Sequence, residues 1–468
     1  MDNEQGAMSV GRISGRVAIA ATVAAVLLVA FLLSLKTFGT ARADTGAVFW
    51  AVCPVTGPDC DATSIQAVVD MAGDGDVIRV VGNSTYVENV VITKSLTLLG
   101  GCANAACNVR APGVFVTTID GGGVGRVVTV EGESDPITAT INGFVITGGD
   151  ADAAVQHANA GGGVGSWNAN LVLMRNVITA NVASEVTDGY GGGVCAEDSQ
   201  LIVDQNTIRE NAATVAENHI GYGGGVYFHN GEVTLSHNWI LSNTASGAGW
   251  GQGGGMYAKG GTVTMAADTV MYNRATLDSG APGEGDGIML EGVSTMTATN
   301  VIIARNQSLS TGPWRSALFM NGASLASTVT LVNSSVISNS KDYEGLCCQG
   351  GGGGVHLRVV NSILWGNGDE IAGSYNSLLL AYSDIEDDTD SGTGVIHEDP
   401  GFVDPQNDDF HLKSDSPCVD AGAAPDVYSF VPAVDWDGDT RPILQGYDIG
   451  PDEAWGEYVY LPLVLKDD

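Results

Sequence analysis

Seven side chains in the middle of the chain could recognise a sugar. Trp167, Glu197, Tyr227, His229, Tyr257, Lys259 and Glu291 occupy matching places in segments about thirty residues apart. If those segments are stacked strands, the seven fall into two adjacent outward columns, with ~5 Å from one strand to the next. Flat rings beside mixed donors and acceptors suit a glycan, whose C–H faces stack on aromatics while its hydroxyls bond to polar groups. The plainer alternative is a solvated ladder of opposite charges, each pair contributing under about 1 kcal/mol. A second cluster, Asp435, Asp437 and Asp439, spaces alternate carboxylates through a tight turn and makes half of a Ca2+ loop. It departs from the full loop, because Thr440 takes the place of the required glycine and Gly446 that of the bidentate glutamate. A simple turn is the competing reading.

No catalytic set accompanies these groups. Glu197 and His229, one repeat apart, could form an acid–base couple. Glu197 and Glu291 lie three repeats apart, too far to flank one glycosidic bond. The chain has no His-Glu-x-x-His, no Gly-x-Ser-x-Gly and no Walker loop. Its charge excludes another class of function. Lys+Arg number 19 against 54 Asp+Glu, a net charge of −35, so the chain has no electrostatic footprint for nucleic acid.

The elements that must position these residues follow from an internal repeat. Gly161-Gly-Gly-Val164, Gly191-Gly-Gly-Val194, Gly223-Gly-Gly-Val226, Gly253-Gly-Gly-Met256 and Gly285-Asp-Gly-Ile288 recur at spacings of 30, 32, 30 and 32 residues. A second signal keeps step with them, a β-branched stretch ending in asparagine at Asn181, Asn211, Asn243 and Asn273, with looser copies at Asn306, Asn339 and Asn367. Each unit holds three short alternating apolar runs separated by Gly and Asn, the pattern of strands and turns. With no helical stretch between them, three strands per ~30 residues predict an all-β solenoid whose coils stack through parallel backbone hydrogen bonds. The asparagines should form a structural ladder, each bonding the turn backbone and the matching amide one coil on, and they tolerate a left-handed backbone. Aligned on the glycines, Val164, Val194, Val226, Met256 and Ile288 point inward. Gly165, Cys195, Tyr227, Tyr257 and Met289 make one exposed column. Trp167, Glu197, His229, Lys259 and Glu291 make the next, continued by Asn321 and Arg358.

These residues resemble the right-handed parallel β-helix of the pectin-lyase-like superfamily. The Gly-Gly-[apolar]-Tyr and x-x-Asn pairing is similar to repeats of polymorphic outer-membrane proteins. The entry, Thr63-Ser-Ile-Gln-Ala-Val-Val-Asp-Met-Ala72 followed by Gly75-Asp-Val-Ile-Arg-Val80, resembles the start of many such helices, with one short helix capped by Thr63 or Ser64 plugging the open end. Asp399-Pro-Gly-Phe402, Asp415-Ser-Pro-Cys-Val-Asp-Ala-Gly422 and Asp435-Trp-Asp-Gly-Asp-Thr-Arg-Pro442 resemble the C-terminal segment of bacterial choice-of-anchor surface proteins. The resemblance covers residues 60–455 and speaks for fold more than activity. It implies that a lyase would cluster calcium-binding aspartates beside an Arg or Lys base. A hydrolase would carry Gly-His-Gly and Arg-x-Lys segments, and neither occurs here.

The expected organisation is a signal peptide or uncleaved membrane anchor over 1–43, an N-terminal cap and first coils over 44–120, repeats over 121–382, an irregular acidic C-terminal cap over 383–457 and a tail over 458–468. Arg12 and Arg16, the apolar run Val17 to Leu35 and Ala41-Arg42-Ala43 support the first of these. Cys53/Cys60 and Cys102/Cys107 read as local loop staples, while Cys195, Cys347, Cys348 and Cys418 have no assignable partner. The expected protein is exported and extracellular or cell-surface, with a membrane contact only through an uncleaved N-terminus. It binds a polysaccharide or cell-envelope component without catalysis, and needs no cofactor beyond Ca2+ at Asp435, Asp437 and Asp439. A secreted polysaccharide lyase or glycoside hydrolase, and a structural spacer or surface-layer element, are the alternatives.

Overall fold

In a computed structural model, the structure describes residues 46–455 apart from 155, 311, 313, 323–325 and 340–343. The N-terminal segment 1–43 and the tail 458–468 lie outside the described residues. Among the described residues no helix is long and apolar enough to cross a membrane.

One coil explains the rest. Val194–Asp204 runs as a single strand bent at Asp198, which takes a left-handed φ of 48°. The chain then turns at Gln205, runs through Thr207–Arg209, turns again at Glu210 and leaves along Ala212–Glu217. It returns through Gly221–Tyr222 to Val226, where the next coil begins. Each segment pairs in parallel with its counterpart one coil on, Val194 with Val226 and Thr207 with Trp239. Among the described residues this builds a 20-stranded sheet, an 11-stranded sheet and two four-stranded sheets. The architecture is the all-β, right-handed parallel β-helix expected from the repeat.

Inward-facing Val164, Val194, Val226, Met256 and Ile288 are fully buried, as are Leu171, Leu201, Val233 and Val263 from the same sheet and Ile178, Ile208, Ile240 and Val270 from the second. At the N-terminal end the helix Ile65–Met71 inserts Ile65, Val68 and Val69 into this core. Ser64 is its N-cap, and Glu88 closes the cap by accepting from Ser64 Oγ and from the amides of Ile65 and Gln66. A carboxylate there also faces the positive end of the helix.

The asparagines form a continuous buried ladder. From Asn181 through Asn211, Asn243, Asn273, Asn306 and Asn339 to Asn367, each Nδ2 donates to the next Oδ1 at 3.0–3.1 Å. Each Nδ2 also donates to a carbonyl one coil back, Ile208 in the case of Asn243. The left-handed residue is the one before the asparagine, namely Ala180, Glu210, Ser242, Tyr272, Arg305 or Ser338. The expectation that Asn itself takes that conformation is therefore corrected. The ladder amide must point inward, and the residue before it turns the corner with its side chain toward solvent. A second ladder, unforeseen in the sequence, runs Asn176–Asn206–Asn238 and ends on Asp268.

After the coils, the chain comes back along the flank of the second sheet. There Met271, Ile302, Ala304, Ile337 and Ile363 point outward yet are buried, covered by Phe402, Phe410, Leu412, Cys418, Ile449 and Ala454. Upstream, the same outward positions hold Thr179, Thr207 and Arg209, and the sheet is open. The acidic C-terminal region is thus a flank cover, placed where the coils turn apolar on their outer face. Residues 424–431 form a separate small unit of turns, with the Val427 and Tyr428 amides donating to the Ala424 carbonyl.

Candidate functional site

The structure keeps the register of the expected ribbon but not its exposure. Glu131, Trp167, Glu197, His229, Lys259, Glu291, Asn321 and Gln349 follow one another on neighbouring strands. Arg358 does not continue this column. It pairs instead with Thr330 and Leu379 further round the coil. Lys259 Nζ reaches Glu291 Oε1 at 3.0 Å, a partly exposed pair. Trp167 is buried, stacked on His157 at 4.0 Å with the Arg126 guanidinium 4.4 Å from its ring.

Tyr227 and Tyr257 are 6 % and 1 % exposed, which corrects their placement on a solvent-facing ribbon. They stack on each other at 5.5 Å within a buried column that also holds Cys195, Met289, Phe319 and Cys347. The cover is the small parallel sheet of Gly189–Tyr190, Gly221–Tyr222, Gly251–Gln252 and Gly283–Glu284. Tyr190 and Tyr222 stack at 5.0 Å and set their edges against Tyr227 and Tyr257. This cover needs glycine at its first position, since a Cβ on Gly189 would lie 1.8 Å from the Ala213 carbonyl oxygen. The recurring Gly-[Tyr/Gln/Glu]-Gly of residues 189–191, 221–223, 251–253 and 283–285 was the available signal. Burial pushes the Tyr227 and Tyr257 hydroxyls far above the usual phenol range, and the Tyr257 hydroxyl donates to Glu291.

The three aspartates of the half calcium loop face three different partners. Asp435 is buried and caps the turn, its Oδ1 accepting from the amides of Asp437 and Asp439 and its Oδ2 from that of Glu453. Asp439 accepts from Trp455 Nε1 at 3.1 Å. Asp437 turns to His411, with Nε2 and Oδ2 2.8 Å apart. Arg441 of the same segment is buried in an ion pair with Glu453 at 2.7 Å.

A different surface presents exposed aromatic and polar groups together. On the second sheet the outward column runs Thr118, Val145, Val177, Thr207, Trp239, and there the flank cover begins. A shallow groove of about 340 Å³ lies over this open half, between Pro112 and Val116 on one side and Arg175 and Gln205 on the other. Trp239, next to Thr207 in the column, is 43 % exposed. Trp436 from the cover meets it edge to face, with His411 5.8 Å from Trp436. Beside them Asp408 receives the Tyr272 hydroxyl at 2.8 Å and the Arg305 guanidinium at 2.6 Å.

His411, partly exposed on this surface, is strongly perturbed. Burial alone would lower its pKa, but hydrogen bonds to Asp409 and Asp437, with the charges of Asp452 and Asp437, raise it to about 9. Asp452 is pushed up to about 6, chiefly by burial. Sequence reading missed Trp239, His411 and Trp436 as a group, because the residues meet only when the flank cover folds back. The signal for Trp239 was a large aromatic in an outward position otherwise held by Val and Thr.

A family model agrees with the coil geometry. The family model described as the right-handed beta helix region matches residues 213–364. No curated protein matches the chain. Among solved structures it is similar to pectate lyase Pel9A, at 13% identity over 88% of this chain and 98% of that one, with a TM-score of 0.48. It is similar to XylC in complex with xylose, at 10% identity over 87% and 99%, with a TM-score of 0.42. The periplasmic alginate epimerase AlgG follows at 12% identity over 66% and 76%, with a TM-score of 0.37.

Proposed function

We propose that the protein is an exported β-helix that binds an extended polysaccharide, without cleaving it, along the open half of its second sheet. One observation carries this reading. Trp239, 43 % exposed, lies one strand beyond a groove floored by Val145, Val177 and Thr207 and edged by Arg175 and Gln205. Indole faces stack on sugar C–H surfaces while the flanking hydroxyl, amide and guanidinium groups bond to sugar hydroxyls. The net charge of −35 favours a neutral glycan over a polyanion. Two local disulfides, Cys53–Cys60 and Cys102–Cys107, support export to an oxidising compartment.

A second reading, a polysaccharide lyase or glycoside hydrolase, rests on Glu197 and His229, partly exposed neighbours in register on the first sheet. A glycan array followed by product analysis separates the two. Binding that is lost in Trp239→Ala, with no release of reducing or unsaturated sugar ends, supports the non-catalytic reading. Release of such ends that stops in His229→Ala supports the enzyme. Silence in both assays leaves a structural spacer.

A further inference from the structure

The flank cover brings an imidazole and three carboxylates together from three separate turns of chain. His411, on the strand Asp409–Leu412, is held from both sides. Its Nδ1 lies 2.6 Å from Asp409 Oδ1 and its Nε2 lies 2.8 Å from Asp437 Oδ2. Asp452 approaches from the third turn, its Oδ2 accepting from the Leu412 amide at 2.7 Å, with no partner for Oδ1 among the described residues. Donor atoms of His411, Asp437 and Asp452 all lie within 4.8 Å of one another.

Two features set this group apart from an ordinary patch of surface acids. A ring nitrogen stands among the donors, and a carboxylate fixes the other nitrogen, the arrangement that sets tautomer and ring orientation in metal-bound histidines. The donors are also held by their own surroundings. Asp435 fixes the turn that carries Asp437 by accepting its amide at 3.0 Å and that of Asp439 at 2.8 Å, and Asp452 is buried.

We propose that His411 Nε2, Asp437 and Asp452 form a site for a divalent first-row transition ion of the Zn2+ class, with Asp409 as a positioning residue. An imidazole with two carboxylates suits Zn2+, Mn2+ or Fe2+, whereas Ca2+ takes oxygen ligands in larger number. The ion replaces the proton between Nε2 and Asp437, and that proton leaves to solvent. The ring is then neutral, its remaining proton on Nδ1 and directed to Asp409. Three protein donors would leave further coordination positions for water or another ligand. The site stands independently of the polysaccharide reading.

The test is calorimetric titration of the chelator-stripped chain with ZnCl2, and with CaCl2 in parallel. We expect one equivalent of Zn2+ bound, no stoichiometric binding in His411→Ala, and binding weakened ~10–100-fold in Asp409→Asn. Asp439→Asn, whose carboxylate serves Trp455 instead, keeps the wild-type affinity. Where His411→Ala disturbs the segment by circular dichroism, Asp437→Asn on the exposed turn replaces it and is likewise expected to lose binding. Absence of stoichiometric Zn2+ binding overturns the proposal. So does Zn2+ affinity unchanged in His411→Ala and Asp437→Asn, or Ca2+ binding tighter than Zn2+.

Discussion

Trp239 and Trp436 meet edge to face with 6.1 Å between ring centroids, one from a coil of the second sheet and the other from the segment that folds back over it. The contact marks the boundary between the open and the covered half of that sheet. Trp239 is 43 % exposed, so its removal takes away less buried surface than that of Trp436. Trp436 is half-buried and packs against the apolar cluster beneath the cover.

The two indoles should therefore separate by assay. Trp239→Ala should weaken glycan binding about 3–10-fold, the worth of one aromatic stacking contact, and lower the urea midpoint less than Trp436→Ala does. Trp436→Ala should lower stability by about 1–3 kcal/mol, because it removes a partly buried indole from the cover. Glycan titration and urea unfolding of both variants check this. A Trp239→Ala variant that binds as well as wild type counts against the groove.

The asparagine ladder and the corner before it should respond in opposite directions. Asn243 donates to Ile208 and Asn273 and accepts from the amide and side chain of Asn211, four bonds in a buried site. Asn243→Ala strands those partners without water and should cost about 3–5 kcal/mol. Ala180, by contrast, is exposed with a φ of 54°. Ala180→Gly removes a left-handed penalty of ~1–2 kcal/mol against a smaller loss of chain entropy, and should stabilise by about 0.5–1 kcal/mol. Equilibrium denaturation of the two variants gives both signs in one experiment.

Stability should fall as the solution becomes more alkaline. Asp268 ends the second ladder in full burial, and that burial raises its pKa from 3.8 to about 7 although Asn238 and Ala266 donate to it. Glu370 ends the first ladder, accepting from Asn367, and is raised likewise to about 8. A carboxyl whose pKa is higher folded than unfolded holds its proton better in the native state. Its contribution is complete below the unfolded value and is lost as pH rises through the folded one. The melting temperature should thus decline from about pH 4 to pH 8. Asp268→Asn should flatten part of that slope, at most about 4 kcal/mol across the window. Thermal melts of both chains from pH 4.5 to 8.5 provide the comparison.

How far the sequence could be read depended on whether a feature repeats. Val194, Val226 and Met256 lie in register and face inward, as the glycine spacing requires, and Asn181 to Asn367 stack because one amide per coil must satisfy a buried corner. Tyr227 and Tyr257 also repeat, but their burial depends on a two-residue strand, Gly221–Tyr222, too short to register as an alternating pattern. His411, Asp437 and Asp452 do not repeat at all. Their meeting follows from the outward apolar residues Ile302, Ile337 and Ile363 on successive strands, which draw the last segment back over the sheet. Periodic contacts are written into a single coil, whereas this one needs the completed stack.

The four unpaired cysteines should stay chemically silent until the chain unfolds. Cys195, Cys347, Cys348 and Cys418 are all buried, and none is bonded to another. Cys195 and Cys347 belong to the covered tyrosine column, while Cys348, the next residue, faces the main core. Adjacent cysteines on opposite faces of a strand point apart, so they cannot close a disulfide without moving the backbone. Burial pushes the Cys347 and Cys348 thiols up to about 12, and it drives Cys195 and Cys418 in the same direction. Only the thiolate attacks a disulfide reagent, so both access and ionisation oppose reaction. An aromatic disulfide reagent at pH 8 should find essentially no thiol in the native chain. The same reagent should find four per chain in denaturant without reductant, since the Cys53–Cys60 and Cys102–Cys107 bridges stay closed. Rapid reaction of even one thiol under native conditions would mean that the small sheet over Tyr227 and Tyr257, or the flank cover over Cys418, opens readily.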